Sequence, residues 1–233
     1  MVRRIVVATH NRGKIREIEH ILADEMGSAA AGFEFITSED ARLPDPRETG
    51  ITFQENALLK ARDAAQRTGL PAMADDSGLI VDVMGNAPGI LSARWSGAHG
   101  DDAANNALLL AQLADIPGTG RSARFRCACA LVVPHADGAG NSEGKGSGAA
   151  EYTEYVETGE MPGCIALSPQ GSNGFGYDPL FVPDDQGCVT DQQREQNNGQ
   201  PLTSAQMSPE QKDAISHRGA AIRAMAAHFA ELA

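Results

Sequence analysis

Two adjacent carboxylates, Asp75 and Asp76, lie between two apolar stretches in the middle of this chain. Residues 70–73 form an apolar approach, and residues 79–83 form a strand-like run. Neighbouring side chains on an extended backbone point to opposite faces, so at most one of the two carboxylates can easily face the core. Burying a bare carboxylate is costly, and a cation beside it offsets that cost. The run therefore predicts a Mg²⁺ site, since Mg²⁺ is typically held by one or two carboxylates together with substrate phosphates. The alternative is a plain turn, because Asp, Ser and Gly are turn formers.

The N-terminal segment has the pattern of a strand, a loop and a helix. Residues 5–8 are apolar, residues 9–14 are polar with one glycine, and apolar residues then recur at helical spacing from Ile15 to Leu22. Such a loop presents the N–H groups of a helix N-terminus to an anion, and Lys14 adds positive charge there. The G-x-x-x-x-G-K-[ST] spacing is absent, so an ordinary strand-to-helix connection is the alternative.

A helix is predicted over residues 53–67, after a polar, proline-containing loop over 37–52 that carries Glu48. Asn56 and Lys60 are four residues apart and therefore share one face of this helix. The helix lies in sequence between the Glu48 loop and the acidic pair, so we expect Lys60 to reach a cleft shared by both. The alternative is a solvated lysine, the usual state of this residue.

The second half of the chain alternates between strand and helix patterns. Period-two alternation indicates strands, and polar or glycine-rich composition indicates connections. The predicted elements are a strand over 79–83, a helix over 101–113, a strand over 124–133, a flexible hairpin connection over 134–150, an antiparallel partner strand over 151–156, a polar loop over 184–206, and two helical pieces that begin at Ser208 and join near Gly219. Cys127 and Cys129 share one face of a strand and are expected in the core.

A second informative run places three glycines around one aromatic residue, Phe175. Glycines let the backbone approach a flat group closely, and the ring can stack on that group. Asp178 can accept hydrogen bonds from ring N–H groups. Arg218 offers only donors, which suits the carbonyl of a 6-oxo purine, whereas the 6-amino group of adenine would set donor against donor. The alternative is a glycine-rich turn with Phe175 in the core.

The net charge of −12 over 233 residues argues against a nucleic-acid polymer as partner, because phosphate backbones demand a basic surface. A single nucleotide is still allowed, since it needs only a local basic cluster and a metal. No apolar run is long enough to span a membrane, and the first residues do not form a signal peptide. We therefore expect a soluble cytoplasmic protein. The length allows one large domain or two small ones, and we expect a single domain over residues 1–233.

Taken in order, these runs resemble the Ham1 family of inosine triphosphate pyrophosphatases. The matching pieces cover nearly the whole chain and are Thr9-His10-Asn11-Arg12-Gly13-Lys14, Glu48-Thr49-Gly50, Phe53 with Glu55-Asn56-Ala57, Lys60, Ala74-Asp75-Asp76-Ser77-Gly78-Leu79, Pro88-Gly89 with Ser92-Ala93-Arg94, Gly174-Phe175-Gly176-Tyr177-Asp178-Pro179 and Ser216-His217-Arg218-Gly219. The resemblance implies an α/β fold with an elongated mixed sheet, flanking helices and two lobes around a central cleft. It also implies a homodimer that uses Mg²⁺ to cleave non-standard purine nucleoside triphosphates (ITP, dITP and XTP) to the monophosphate and pyrophosphate.

The resemblance also implies a role for individual residues. Asp76 would bind the metal and accept a proton, Asp75 and Glu48 would support the metal, and Lys60 would assist catalysis. The substrate-binding residues that it implies are Thr9, His10, Asn11, Arg12, Gly13 and Lys14 at the triphosphate, Ser77 and Lys212 along the nucleotide, and Phe175, Gly176, Tyr177, Asp178, His217 and Arg218 at the base. The sequence departs from the family pattern in two longer polar stretches, near 136–150 and 184–204.

Two other functions stay open at the level of sequence. One is a module that senses purine nucleotides without turning them over. The other is a pyrophosphatase of the related Maf-like class, which would act on modified pyrimidine nucleotides.

Overall fold

The computed structural model describes residues 2–9, 12–44, 46–135 and 151–232, and of residues 12–14, 16, 17 and 230 it describes the backbone only. The strands in this part of the chain are β1 (Arg3–Val7), β2 (Phe33–Thr37), β3 (Ala72–Val81), β4 (Ser122–Pro134), β5 (Tyr152–Ile165) and β6 (Phe181–Pro183). They form a six-stranded sheet in the order β2-β1-β3-β4-β5-β6. β1 pairs in parallel with β2 and β3, whereas β5 and β6 are antiparallel, so the sheet is mixed.

Helices accompany the sheet throughout the described residues. The α-helices are α1 (Arg12–Met26), α2 (Phe53–Thr68), α3 (Asp102–Gln112), α4 (Asp191–Gln196), α5 (Pro209–Ile215) and α6 (His217–Ala230). A mixed sheet with accompanying helices confirms the predicted α/β class. Within the described ranges, no helix combines the length and the apolarity that a membrane span requires.

Contacts within the chain group its residues into two compact units. Unit 1 comprises Met1–Asp76, Ala128–Thr158 and Ala221–Ala233, and unit 2 comprises Ser77–Cys127 and Gly159–Ala220. The strands β3, β4 and β5 therefore contribute residues to both units.

Each unit has its own apolar core. In unit 1, Phe33 and Phe229 pack edge to face with ring centroids 5.6 Å apart. The larger buried side chains of unit 2 are Leu79, Leu109, Leu113, Phe125, Met161, Leu180 and Phe181. Cys127 and Cys129 are both fully buried, which confirms their predicted place in the core.

The ends of α2 follow from local chemistry and agree with the prediction over 53–67. The Thr52 side chain accepts a hydrogen bond from the N–H of Glu55, which is the usual way to satisfy the first free donors of a helix. Gly69 ends the helix in the left-handed conformation at φ 68°, and its N–H donates to the carbonyl of Ala65. Ala57 and Ala61 are fully buried, so the apolar face of α2 packs closely.

The strand β3 is longer than the sequence predicts. The prediction placed its start at Leu79, but the strand already begins at Ala72 and includes both Asp75 and Asp76. The reading of the acidic pair as a plain turn is therefore wrong. The strand can continue through the pair because Asp76 finds polar partners on α2. At its other end the strand stops at Val81, two residues earlier than predicted, and the chain continues from Asp82 in a short 3-10 turn.

Three further elements differ from the prediction. β2 was not predicted, and β5 continues to Ile165 instead of ending at residue 156. The polar stretch 184–206, predicted as a loop, contains α4. This helix buries none of its residues and is started by a capping box between Thr190 and Gln193, so it has no apolar stripe to reveal it. The predicted hairpin connection falls largely on residues 136–150, which lie outside the described residues.

The C-terminal helices begin and divide as predicted. Ser208 caps α5, with Pro209 in its first turn and Gln211 completing a capping box. The break falls at Ser216, near Gly219, and the Ser216 hydroxyl accepts the N–H of Gly219 at 2.9 Å and so starts α6. His217 and Arg218 consequently stand in the first turn of a helix.

A buried arginine, Arg121, binds backbone carbonyl oxygens at and after the end of α3. Arg121 is only 3% exposed, and its guanidinium donates to the carbonyls of Leu113 at 2.6 Å, Ile116 at 2.8 Å and Ala166 at 3.2 Å. The last carbonyls of a helix have no partner within the helix, so the guanidinium supplies donors that the backbone lacks there.

Candidate functional site

The acidic pair of β3 meets the predicted lysine of α2 within unit 1. Lys60 Nζ lies 3.0 Å from Asp76 Oδ1 and 2.9 Å from Glu48 Oε1. The side chains are only 15% exposed for Lys60, 12% for Asp76 and 28% for Glu48. The structure therefore brings together three of the predicted catalytic and metal-binding residues, and the solvated alternative for Lys60 is wrong.

Asn56 joins the loop that carries Glu48 to the strand that carries Asp76. Its Nδ2 donates to Asp76 Oδ2 at 3.3 Å, and its Oδ1 accepts the N–H of Gly50 at 2.8 Å. A Cβ at Gly50 would meet Asn56 Oδ1 at 2.6 Å, so this approach requires glycine. The role of Asn56 was not predicted, although its spacing from Lys60 already placed both on one face of the helix.

The cluster carries more negative than positive charge. Burial acts to lower the pKa of Lys60, but the charges of Asp76, Asp75 and Glu48 outweigh it, so the Lys60 pKa is raised. Burial raises the pKa of Asp76; its contacts with Lys60 oppose the rise and the charge of Glu48 adds to it. The negative charge of these carboxylates would stabilise a divalent cation beside them.

The donor set of this cluster fits Mg²⁺. No group of three or more His, Cys, Asp and Glu side chains is arranged as a metal site within the ranges that the structure describes. A Mg²⁺ ion nevertheless needs only one or two carboxylates when phosphate oxygens supply other ligands. Glu48 and Asp76 already converge on one cation, the ammonium of Lys60, and Asp75 lies close enough to act on the pKa of that ammonium.

The predicted triphosphate loop follows β1. The N–H of Ala8 donates to the carbonyl of Met73 at 2.7 Å, so Thr9 leaves the sheet next to the start of the acidic run. The chain then enters α1, whose first turn contains Gly13. His10 and Asn11 lie outside the described residues, and so do the side chains of Arg12 and Lys14.

Phe175 is exposed in unit 2, with two cations beside its ring. The side chain is 58% exposed. Lys212 Nζ lies 4.8 Å from the ring centroid, and Arg218 Cζ lies 6.0 Å from it. Both distances are within the range of cation–π attraction. The alternative that placed Phe175 in the core is therefore wrong, and the ring offers a flat apolar face.

Asp178 binds the backbone of the glycine-rich segment around Phe175, residues 174–178, which we call the aromatic segment. It is 1% exposed, and its Oδ2 accepts the N–H of Phe175 at 2.9 Å and the ammonium of Lys212 at 2.5 Å. A Cβ at Gly174 would meet the same oxygen at 2.1 Å, so only glycine fits there. This carboxylate oxygen is already bound by groups of the protein itself.

Besides Asp178, three predicted base-site residues are buried: Tyr177, His217 and Arg218. The Tyr177 hydroxyl donates to the carbonyl of Ser92 at 2.8 Å, and burial together with the charge of Asp102 raises the pKa of Tyr177. His217 stacks on Phe125 with ring centroids 4.9 Å apart. The rings of Tyr177 and His217 therefore pack against the core of unit 2.

The predicted site residues divide between the two units. Those in unit 1 are Thr9, Glu48, Lys60, Asp75 and Asp76, and those in unit 2 are Ser77, Phe175, Gly176, Tyr177, Asp178, Lys212, His217 and Arg218. Two residues that the sequence did not predict also contact the aromatic segment: Asp102 accepts the N–H of Gly176, and Asn106 donates to its carbonyl. The sequence signal that could have found them is their four-residue spacing at the start of the predicted helix, which puts both side chains on one helix face.

The chain is similar to known proteins both in sequence and in fold. The model of the Ham1 family matches residues 5–228. A protein of Bifidobacterium animalis subsp. lactis (strain AD011), called dITP/XTP pyrophosphatase, is 59% identical and is aligned over 98% of this chain and 97% of its own. Among solved structures, a HAM1 protein from Coxiella burnetii superposes with a TM-score of 0.74 at 35% identity, covering 99% of this chain and 100% of that one. A nucleoside-triphosphatase / dITP/XTP pyrophosphatase from Mycobacterium abscessus superposes with a TM-score of 0.67 at 44% identity, covering 97% and 98%.

Proposed function

Because this chain belongs to the Ham1 family, we propose that it hydrolyses the non-standard purine nucleoside triphosphates ITP, dITP and XTP to the nucleoside monophosphate and pyrophosphate. Such an activity removes these nucleotides from the precursor pool. The name dITP/XTP pyrophosphatase, carried by its relatives, supports the substrate class. The observation in the structure that carries the proposal is the half-buried cluster in which Glu48 and Asp76 hold Lys60.

The acidic cluster suits phosphoryl chemistry, which needs positioning and charge neutralisation more than covalent help. Mg²⁺ is the proposed cofactor, held by Glu48, Asp75 and Asp76, and when bound it supplies positive charge against the phosphate oxygens. Lys60 remains protonated at neutral pH because its pKa is raised, so it can stabilise negative charge that builds up on the leaving pyrophosphate. Lys14 is proposed to do the same from the start of α1.

Asp76 is the proposed group that orients the attacking water. Burial raises the pKa of Asp76, which makes it a stronger base than an ordinary aspartate, and its contact with Lys60 opposes that rise. Lys60 fixes Oδ1 and Asn56 fixes Oδ2, so the carboxylate has one defined orientation. A fixed carboxylate can hold a water molecule in line with the phosphorus atom that it attacks.

The segment around Phe175 is the proposed base site. Its exposed ring can stack on a purine, because base–aromatic stacking is favourable for every base. Arg218, a donor only, favours the 6-oxo group of hypoxanthine or xanthine over the 6-amino group of adenine. Ser77 and Lys212 are proposed to contact the nucleotide between base and phosphates, and the residues from Thr9 to Lys14 the triphosphate.

A homodimer in the cytoplasm is part of the same proposal, supported by the family alone. Light scattering of the purified full chain should give the mass of two copies. Fractionation of the cells that produce it should recover it with the soluble cytoplasmic proteins. A single-copy mass would remove the dimer without affecting the proposed reaction.

Release of pyrophosphate tests the reaction directly. The full chain is assayed with ITP, dITP, XTP and ATP, and with a modified pyrimidine triphosphate, across a Mg²⁺ titration. We expect Mg²⁺-dependent turnover of the three 6-oxo purine nucleotides and little of the others. The variant Asp76→Asn should lose turnover, and Asp63→Asn on the same unit, which changes only an ion pair with Arg67, should keep it.

Three results would contradict the proposal. No pyrophosphate at any Mg²⁺ concentration would leave only nucleotide sensing. Preference for the pyrimidine nucleotide would favour the Maf-like activity. Full turnover by Asp76→Asn would show that the acidic cluster is not the reaction site.

A further inference from the structure

Helix α3 binds both polar groups of a single residue in the aromatic segment. The N–H of Gly176 donates to Asp102 Oδ2 at 2.6 Å, and the carbonyl of Gly176 accepts from Asn106 Nδ2 at 2.9 Å. Asp102 and Asn106 are one helical turn apart, so both side chains project from the same face of α3. Asp102 and Asn106 stand 74 and 70 positions before Gly176 in sequence, and all three belong to unit 2.

The backbone on either side of Phe175 is thereby held by two carboxylates. The peptide group before Phe175 carries the N–H that Asp178 accepts at 2.9 Å. The peptide group after it carries the N–H that Asp102 accepts. The two backbone torsions of Phe175 lie between these peptide groups, so fixing both groups fixes the direction in which the side chain leaves the backbone. Charge-assisted hydrogen bonds to carboxylates are stronger than neutral ones, which makes this restraint firm.

The ring itself has little else to define its position. It is more than half exposed, and its described neighbours above the backbone are Lys212, whose ammonium is bound by Asp178, and the buried Arg218. A ring that is 58% exposed is not enclosed as it would be in a packed core. The position of the ring is therefore set mainly through its backbone.

The orientation of the Asn106 amide is also determined. Its Nδ2 faces the carbonyl of Gly176, and its Oδ1 is buried with no hydrogen-bond partner among the described residues. Rotating the amide by half a turn would set Oδ1 against that carbonyl oxygen, acceptor against acceptor. A donor is thus required at this position.

We propose that Asp102 and Asn106 are positioning residues for the base site. They act through Gly176, hold the Phe175 ring ready for a purine before the nucleotide arrives, and so contribute to the selection of its base. The inference rests on the proposed function for its substrate, and on the contacts of α3 for its mechanism. Neither residue touches the reacting atoms, so the effect is expected on binding and selectivity and not on the chemical step.

Four variants of the full chain test the inference. Asp102→Ala removes the acceptor, Asp102→Asn keeps an acceptor of the same shape, and Asn106→Asp replaces the donor with an acceptor. Asp101→Ala is the matched control, because Asp101 caps α3 through the N–H of Ala104 without contacting Gly176. Each variant is assayed for pyrophosphate release from ITP and ATP with Mg²⁺, and the exchange rate of the Gly176 amide proton is followed by NMR without nucleotide.

We expect Asp102→Ala and Asn106→Asp to raise KM for ITP about tenfold, the effect of losing one charge-assisted or correctly paired hydrogen bond. The kcat should stay within about twofold, because the reacting groups are untouched. The ratio of kcat/KM for ITP to that for ATP should fall, and the Gly176 amide should exchange about tenfold faster in Asp102→Ala, since its acceptor is gone. Asp102→Asn should restore most of both properties.

Two outcomes would overturn the inference. One is an unchanged Gly176 exchange rate in Asp102→Ala, which would show that the carboxylate does not restrain the peptide. The other is an equal effect of Asp101→Ala on KM, which would mean that any weakening of the helix start has the same result. If the unchanged protein releases no pyrophosphate at all, the proposed function fails, while faster Gly176 exchange in Asp102→Ala still decides the restraint itself.

Discussion

Replacing Lys60 by methionine removes the ammonium that Glu48 and Asp76 share, while keeping an unbranched side chain that is only one atom shorter. The two contacts of 2.9 and 3.0 Å are then lost, and Asp76, Glu48 and Asp75 are left without that cation. The variant tests whether the cluster is an electrostatic unit or a group of independently solvated side chains.

The size of the effect follows from these distances and the low exposure of the cluster. Two unit charges about 3 Å apart attract by about 5 kcal/mol at an effective dielectric constant of about 20. Removing ions from water offsets several kcal/mol of this for each ion, so the net loss is smaller than the sum of the contacts. Breaking a buried pair from one side costs about 3 kcal/mol or more, and we expect Lys60→Met to lose about 3 kcal/mol of unfolding free energy.

The loss should depend on pH in a defined direction. The raised pKa of Lys60 means that its contribution is fully present below its ordinary pKa and disappears only as the pH rises through the folded value. The pKa of Asp76 is already raised, and without Lys60 it rises further, so the folded variant takes up a proton more readily than its unfolded chain. The gap in unfolding free energy between the variant and the unchanged protein should therefore narrow as the pH falls.

Urea unfolding at several pH values, with a chelator present, measures the loss of unfolding free energy and its change with pH. Arg67→Met is the matched control, since it removes an exposed ion pair with Asp63 from the same helix and should leave the unfolding midpoint nearly unchanged. A loss by Lys60→Met no larger than that of the control would refute the reasoning. So would a gap that widens as the pH falls.

Three further predictions concern single side chains. Asp76→Asn should lose less unfolding free energy in urea than Lys60→Met, because Lys60 keeps Glu48 as a partner and burial disfavours the ionised form of the carboxylate that is removed; an equal or larger loss would contradict this. Phe175→Ala should raise KM for ITP about tenfold, with Phe175→Tyr near normal, and should leave the melting temperature unchanged because the ring is exposed. Arg121→Met should lose about 3 kcal/mol in urea unfolding because three carbonyls lose their donors, whereas Arg126→Met, which removes a half-exposed pair with Glu160, should lose far less.

The elements that sequence predicted well are those with their own local signals. α2 has a threonine cap, a glycine end and alanines on one face, and α5 has Ser208, Pro209 and Gln211 in a capping box. β4 alternates strictly enough to be predicted within two residues of its bounds. In each case the signal lies within the element, so no distant contact was needed.

The elements that sequence missed depend on contacts made elsewhere in the chain. β3 runs through Asp75 and Asp76 because α2 supplies partners for Asp76, and the run itself resembles a turn. β2 gains its place by pairing with β1 in parallel, which five residues alone do not reveal. α4 is polar on every face, so its capping residue is its only local mark.

The candidate site was predictable in its residue types and not in its geometry. The four-residue spacing of Asn56 and Lys60 put both on one face, but the distances from Lys60 to Glu48 and Asp76 required the fold. Whether Phe175 is buried or exposed was undecided, because a glycine-rich run has no periodicity to show its inner face. Asp102 could not be connected to Gly176, since no local pattern relates two residues so far apart in the chain.

The bridge made by Asn56 has a consequence for how homologous chains diverge. Its amide accepts from Gly50 and donates to Asp76, and Gly50 has no room for a side chain against it. A change at any of these three positions leaves the other two mismatched, so the three should be inherited as a set. A descendant that replaces Asn56 is expected to have substituted its partners as well. If Asp76 is among them, that descendant has also lost the carboxylate proposed to orient the attacking water.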